Sequence, residues 1–105
     1  MGGEIAVGIV REASRALVAV AGELDMATVP TLEARLEEAA GKGLDIALDL
    51  HALNFIDASG LRALLRAKAD AREQGRRFEI VSQGAPLTRL LAITGAGAQL
   101  TRAEA

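Results

Sequence analysis

The sequence of 105 residues predicts an α/β fold built on a mixed sheet. Two strand-like segments follow each other at the N-terminus with no helical pattern between them, which indicates a β-hairpin. After the hairpin, strand and helix patterns alternate, which is typical of parallel strands joined by right-handed crossovers. Half of the residues are apolar, enough for one core. We therefore expect a single domain over residues 1–105, with its core at about 5–100 and about four to five strands and three to four helices.

The first part of the chain is predicted to form the hairpin and one helix. Residues 5–11 alternate weakly and indicate an edge strand, whereas residues 15–21 are apolar on both faces and indicate a buried strand. Residues 13–14 are predicted to form the hairpin turn between them. A helix is predicted from Thr28 to Ala40, because Thr28 can cap it and the apolar residues recur on one face.

A second strand and helix follow in the middle of the chain. Apolar residues alternate from Leu44 to Leu50, which predicts a strand packed on one face, and Phe55 and Ile56 end it where a helix begins. The helix is predicted to run to a stop at Gly75. The residues with three-and-four spacing on its apolar face are Leu61, Leu64, Leu65, Ala69 and Arg72.

Three short elements are predicted at the end of the chain. Residues 77–82 have the pattern of a strand, and residues 86–93 have the pattern of a short helix that the following glycines close. A brief final strand is predicted at residues 99–101.

The start of the middle helix carries the best candidate for a functional group. Asp57 or Ser59 must be its N-cap, since both side chains can accept hydrogen bonds from the first-turn amides. A serine in this place is commonly only a cap. Asp25, Asp49, Asp57 and Ser59 all lie at or just after strand ends, and the carboxyl ends of such strands meet at one edge of a sheet. We therefore expect these four residues to cluster in space.

Composition excludes several classes of function. The absence of cysteine excludes disulfides, thiolate metal sites and cysteine nucleophiles. A net charge of −2 and only two aromatic residues, both phenylalanine, argue against nucleic-acid binding. Neither a signal peptide nor a run of about 20 apolar residues is present, so we expect a soluble cytoplasmic protein whose partner is another protein.

Intrinsic catalysis has little support in the sequence, and we expect no cofactor. His51 is the lone histidine and has no second histidine or cysteine to complete a metal site. The alternative is a small hydrolase in which Asp25, Asp49 and Asp57 form a carboxylate cluster around Mg²⁺.

Three segments of the chain resemble the STAS domain family, which is named after sulphate transporters and anti-sigma factor antagonists. They follow one another in the same order as in the family. The most specific is residues 49–61, which read DLHALNFIDASGL, and it is preceded by GELD at residues 22–25 with Thr28. The third is GRRFEIV at residues 75–81, followed by residues 86–95. The resemblance covers about residues 5–100 and implies the STAS-like mixed sheet.

The resemblance also implies a function. Small stand-alone STAS proteins resemble bacterial anti-sigma factor antagonists, which the anti-sigma factor phosphorylates on a hydroxyl at this helix start. It implies that Ser59 is the phosphoacceptor and that the partners are an anti-sigma factor kinase and a phosphatase. The partner-binding residues that it implies are Asp25, Asp49, Asp57, Ala58, Gly60, Leu61, Arg62 and Arg66.

One departure from the family pattern leaves an alternative open. Many relatives carry two adjacent hydroxyls where this chain has Ala58 and Ser59. If the first of the pair is the acceptor, the chain would be a constant binder, such as a scaffold subunit of a stress-signalling or lipid-transport complex. A homodimer also remains open.

Two arginines follow Ser59 on the outer face of the helix. Arg62 and Arg66 are four residues apart, and like charges at that spacing mildly oppose a helix. Contact with an acidic partner would explain them, and so would a solvated helix face. Asp70, four residues after Arg66, could neutralise it.

Overall fold

The structure, a computed structural model, describes residues 3–41 and 43–101. Within these ranges it contains five strands and four helices, which confirms the predicted mixed α/β architecture. The strands are β1 (Ile5–Arg11), β2 (Arg15–Leu24), β3 (Asp45–Asp49), β4 (Leu53–Ile56) and β5 (Phe78–Ser82). The helices are α1 (Val29–Ala40), α2 (Ala58–Glu73), α3 (Ala85–Thr94) and α4 (Gly97–Thr101).

The sheet is organised around the long strand β2. β1 pairs with it antiparallel as the predicted hairpin, and β3 pairs with it parallel on the other edge, followed by β5. β4 pairs with β2 on the same edge as β3 but further along, where Leu24 lies opposite Ile56. β2 therefore carries β3 along its first half and β4 at its carboxyl end.

The prediction of one strand before the middle helix was wrong, because the structure has two. β3 ends at Asp49, the chain turns over residues 50–52, and Leu53 donates a hydrogen bond back to the carbonyl of Leu50 at 3.1 Å. The apolar pattern does not mark this break, since Leu50 and Leu53 on its two sides are both buried. The turn moves the chain along β2 to the end of the sheet, where α2 begins.

The core lies between the sheet and helices α1 and α2. The side chains buried most completely come from β2, β3, the helices and the segments that join them: Val18, Val20, Leu24, Leu32, Leu48, Leu50, Leu64, Leu87 and Leu100. The other face of β2 is more open than predicted, because Leu17 and Ala21 are half-buried and Ala19 is exposed. β2 is thus buried on one face and not on both.

Two further predictions were wrong in the helical part. Ala69 and Arg72 are exposed, and Ala71 takes the buried position near the end of α2. Residues 99–101 belong to helix α4, whose Leu100 is fully buried, rather than to a strand. Gly95 ends α3 in the left-handed conformation (φ 74°) and lets the chain turn into α4. Among the described residues, no helix has the length and apolar character needed to span a bilayer.

The first turn of α2 packs directly on the end of the sheet. The backbone of Gly60 lies so close to β2 and β4 that an added Cβ would stand 2.8 Å from the Leu24 carbonyl oxygen, from Leu24 Cγ and from Ile56 Cγ1. The amide of Asp57 also donates a hydrogen bond to the Leu24 carbonyl, at 3.3 Å. Only glycine fits at position 60 without moving the helix away from the sheet.

We expect Gly60→Ala to lower the free energy of unfolding by about 1–3 kcal/mol, because the new methyl group overpacks this contact. The measurement is urea unfolding followed by circular dichroism. The control is Gly8→Ala, whose Cβ would meet no atom within 4 Å and which should leave stability within about 1 kcal/mol of the parent. Equal unfolding midpoints for Gly60→Ala and the parent would contradict the close packing.

Candidate functional site

The candidate site is formed where β2 and β4 end side by side. Leu24 and Ile56 pair as the last residues of these strands, so the loop of residues 25–28 and the start of α2 lie next to each other. We call residues 25–28 and 57–62 the strand-end site. It lies at the opposite end of β2 from the hairpin turn.

Asp57 is the N-cap of α2. It has extended backbone angles (φ −113°, ψ −173°), and its Oδ1 atom accepts a hydrogen bond from the amide of Gly60 at 3.0 Å. Of the two residues that the sequence allowed as the cap, Asp57 takes the role and Ser59 does not. Within the described residues, the Ser59 hydroxyl makes no hydrogen bond, to Asp57 or to any other group. Ser59 is half-buried, and its unbonded hydroxyl oxygen is not among the fully buried polar atoms.

Asp25 fixes the loop that follows β2. Its Oδ2 atom accepts a hydrogen bond from the amide of Gly3 at 2.8 Å, and its Oδ1 atom accepts from the amides of Ala27 at 2.9 Å and Thr28 at 3.0 Å. The hydrogen bond from Gly3, with those from Thr28 and Ala27, lowers the pKa of the Asp25 carboxyl, against a smaller opposing effect of burial. Both carboxylate oxygens are thus committed to backbone amides.

Thr28 closes the same loop from inside. It is buried, and it stands at the N-cap position of α1 without capping the helix through its side chain, contrary to the prediction. Its hydroxyl donates to the carbonyl of Glu23 at 2.8 Å and accepts from the amide of Asp25 at 3.0 Å. The Thr28 side chain therefore ties the start of α1 back to the end of β2.

Asp49 does not join the predicted cluster. It pairs with Ala19, five residues before the end of β2, which puts it about 16 Å from Leu24 along the strand. Its Oδ1 atom accepts a hydrogen bond from the amide of His51, so it serves the turn after β3. The expectation failed because β4 intervenes between this turn and α2. In the described ranges, no three His, Cys, Asp or Glu side chains are grouped to hold a metal ion.

The surface of the strand-end site is only partly the predicted one. Gly60 and Leu61 are buried, so they position the surface and do not form it, whereas Ala58 and Arg62 are exposed. The structure adds Met26, whose exposed fraction is 76%. Sequence reasoning missed Met26, although a methionine beside Asp25 and outside any periodic apolar pattern was a usable signal.

The two outward arginines of α2 differ in their contacts. Arg66 pairs with Glu33 of α1 at 2.9 Å, and not with Asp70 as its spacing suggested. Arg62 has neither an ion pair nor a side-chain hydrogen bond with any other described residue. Arg66 thus links α2 to α1 through an ion pair, whereas the guanidinium of Arg62 is available to bind a group from outside the chain.

The chain matches a known protein-family model over almost its whole length. A family model described as "Mlab, STAS domain" matches residues 7–102. The anti-sigma-B factor antagonist of Bacillus subtilis (strain 168) is 30% identical over 78 residues, which are 74% of this chain and 72% of that protein.

Solved structures give the same result. An anti-sigma factor antagonist from Mycobacterium paratuberculosis superimposes with a TM-score of 0.74 at 26% identity, over 92% of this chain and 83% of that one. The anti-sigma factor antagonist SpoIIAA in its unphosphorylated form gives a TM-score of 0.73 at 20% identity, over 94% and 89% of the two chains. At that identity the second likeness shows the fold alone.

Because Asp57 and not Ser59 is the N-cap of α2, substitutions at these two residues should lower stability by different amounts. Asp57→Ala should lower the free energy of unfolding by about 1 kcal/mol, because the amide of Gly60 loses its acceptor. Ser59→Ala should change the free energy of unfolding by less than about 0.5 kcal/mol, because the Ser59 hydroxyl makes no hydrogen bond with the described part of the folded chain. Chemical unfolding of both variants checks this. The reverse order of effects would show that Ser59 is the cap.

The lowered pKa of Asp25 predicts how the free energy of unfolding depends on pH. Its folded pKa lies below its unfolded value of about 3.9, so the ionised carboxyl stabilises the fold above about pH 4, and this contribution is lost as the pH falls through the lower folded pKa. The stability difference between the parent and Asp25→Asn should therefore be present at pH 7 and shrink below about pH 4. Unfolding by urea at a series of pH values measures it.

The control for this prediction is Asp70→Asn, since the Asp70 carboxylate accepts no hydrogen bond from another described residue. Its difference from the parent should stay small at every pH. A difference for Asp25→Asn that does not change with pH would show that the amides bind the neutral side chain equally well.

Proposed function

The chain belongs to the STAS domain family, and on this premise we propose that it is an anti-sigma factor antagonist switched by phosphorylation of Ser59. The unphosphorylated form binds an anti-sigma factor kinase and so releases the sigma factor. Phosphorylation abolishes the binding. The protein is then substrate and ligand, and not an enzyme, and it acts in the cytoplasm with the transcription machinery.

The observation that carries this proposal is that Asp57 caps α2 and Ser59 does not. Because Asp57 caps α2, the Ser59 hydroxyl makes no hydrogen bond within the described part of the chain and is free to be phosphorylated. A serine that served as the cap would have to give up its hydrogen bond before it could react. The neighbouring residue, Ala58, is exposed and has only a methyl side chain, so it would hinder an approaching kinase little.

A phosphate at Ser59 would change the fold very little. It adds about −1.5 to −2 charge. The helix dipole favours that charge by only about 0.3–1 kcal/mol, and repulsion from Asp57 offsets part of this gain. The loop of residues 25–28 is held by its own hydrogen bonds, from Asp25 and Thr28, and these do not involve Ser59. The site therefore has no element that must refold.

The same charge has a large effect at a docked interface. One unfavourable charge pair at about 4 Å, with an effective dielectric near 20, costs about 4 kcal/mol. That energy weakens binding about a thousandfold. Since the interfacial effect exceeds the effect on the fold, a rigid domain can signal by its surface charge alone.

The partner surface that we propose combines apolar and charged groups around Ser59. Met26 offers a flexible apolar side chain on the neighbouring loop, and Arg62 offers a cation one turn along α2. Both are exposed, while the backbone beneath them is fixed. The phosphate would come from ATP bound by the partner, and its removal would need a separate phosphatase.

We expect Ser59→Asp to weaken binding to the anti-sigma factor at least about tenfold, because a fixed negative charge then stands in the interface. Ser59→Ala should bind like the parent and should not be phosphorylated. Isothermal titration calorimetry against each ATP-binding anti-sigma factor encoded in the same genome measures the affinity, and mass spectrometry after incubation with ATP locates the phosphate.

The matched control is Ser14→Asp, which adds the same charge at the hairpin turn, at the other end of β2. It should bind and be phosphorylated like the parent. If Ser59→Asp binds as tightly as Ser14→Asp, the switch is refuted. If the parent binds but gains no phosphate on Ser59, the chain is instead a constant binder of the scaffold type.

A further inference from the structure

We infer that Arg62 is the counter-ion of the phosphate on Ser59, so that phosphorylation also draws this guanidinium out of the partner surface. The inference rests on the proposed function for the existence of the phosphate. It adds a second change to the switch: one group gains negative charge, and a neighbouring cation is withdrawn.

The position of Arg62 on α2 supports this role. Residues three and four apart on a helix are surface neighbours, with about 5–6 Å between their Cβ atoms, so Arg62 neighbours both Ser59 and Ala58. Long helical side chains lean toward the N-terminus of the helix and cover the preceding turn. A guanidinium on this side chain can therefore reach back over Ser59, and the small side chain of Ala58 leaves room for it.

The charged groups nearby leave Arg62 uncommitted before phosphorylation. Arg62 is exposed and has no ion pair within the described residues. The Oδ1 atom of Asp57 is held by the amide of Gly60, both oxygens of Asp25 are held by backbone amides, and neither carboxylate forms an ion pair with Arg62. Arg66, the next cation along the same face, is already paired with Glu33. Arg62 is thus the cation that a phosphate on Ser59 can recruit without breaking an existing ion pair.

A phosphoserine would be a better acceptor for Arg62 than any carboxylate at the site. It carries up to two charges and three acceptor oxygens, and the guanidinium fork binds such a group through two parallel hydrogen bonds. In the unmodified protein the same fork is free to contact an acidic partner. One modification therefore changes two groups on the strand-end site.

The test uses the full chain with phosphoserine incorporated genetically at position 59, so that no kinase or partner is needed. The second ionisation of the phosphate is followed by ³¹P NMR in the parent, in Arg62→Gln and in the control Arg66→Gln. The other titratable groups in and next to the strand-end site, Glu23, Asp25 and Asp57, are the same in all three proteins. Differences between the proteins therefore report the arginines.

We expect the midpoint for Arg62→Gln to lie about half a pH unit above that of the parent, because the dianion loses its counter-ion, and the midpoint for Arg66→Gln to match the parent. The Arg62 Nε–H signal should also shift on phosphorylation of the parent. Equal midpoints in all three proteins would overturn the inference. If the shift is present but no anti-sigma factor binds or phosphorylates the chain, the ion pair stands and the proposed function fails.

Discussion

The structure depends on the contact between the first turn of α2 and the end of β2. Gly60 lets the helix backbone approach the Leu24 carbonyl, and the amide of Asp57 bonds to that same carbonyl. This contact fixes where α2 begins relative to β2 and β4, and hence where Ser59 stands. A side chain at position 60 would push the helix start away from the sheet and carry the candidate site with it.

Around this contact, the residues that hold the backbone are distinct from the residues that a partner could contact. The side chains of Asp25, Thr28 and Asp57 form hydrogen bonds to backbone groups. Met26, Ala58 and Arg62 are exposed, and the hydroxyl of Ser59 is unbonded within the described chain. A surface of this kind can change its charge without a change of fold. That is the physical basis of the phosphorylation switch that we propose for this small domain.

The sequence was sufficient for the general architecture, a mixed sheet with an N-terminal hairpin and helices. The hairpin, helices α1 to α3 and a helix start at Asp57 or Ser59 follow from periodicity and capping. The break between β3 and β4 could not be predicted, because its buried leucines read as one strand, and so Asp49 was wrongly placed in the cluster. The choice between Asp57 and Ser59 as cap needed atomic geometry, since aspartate and serine are both common N-cap residues. The three residues 99–101 were too few to tell a strand from a helix.

The central claim is that a phosphate on Ser59 acts on binding and not on folding. The most direct measurement compares unmodified protein with protein carrying phosphoserine at position 59, both for the Kd of the anti-sigma factor and for the free energy of unfolding. The account predicts a Kd about a thousandfold higher after phosphorylation and a change in unfolding free energy below about 1 kcal/mol. An unchanged Kd, or a loss of stability as large as the loss of binding energy, would contradict it.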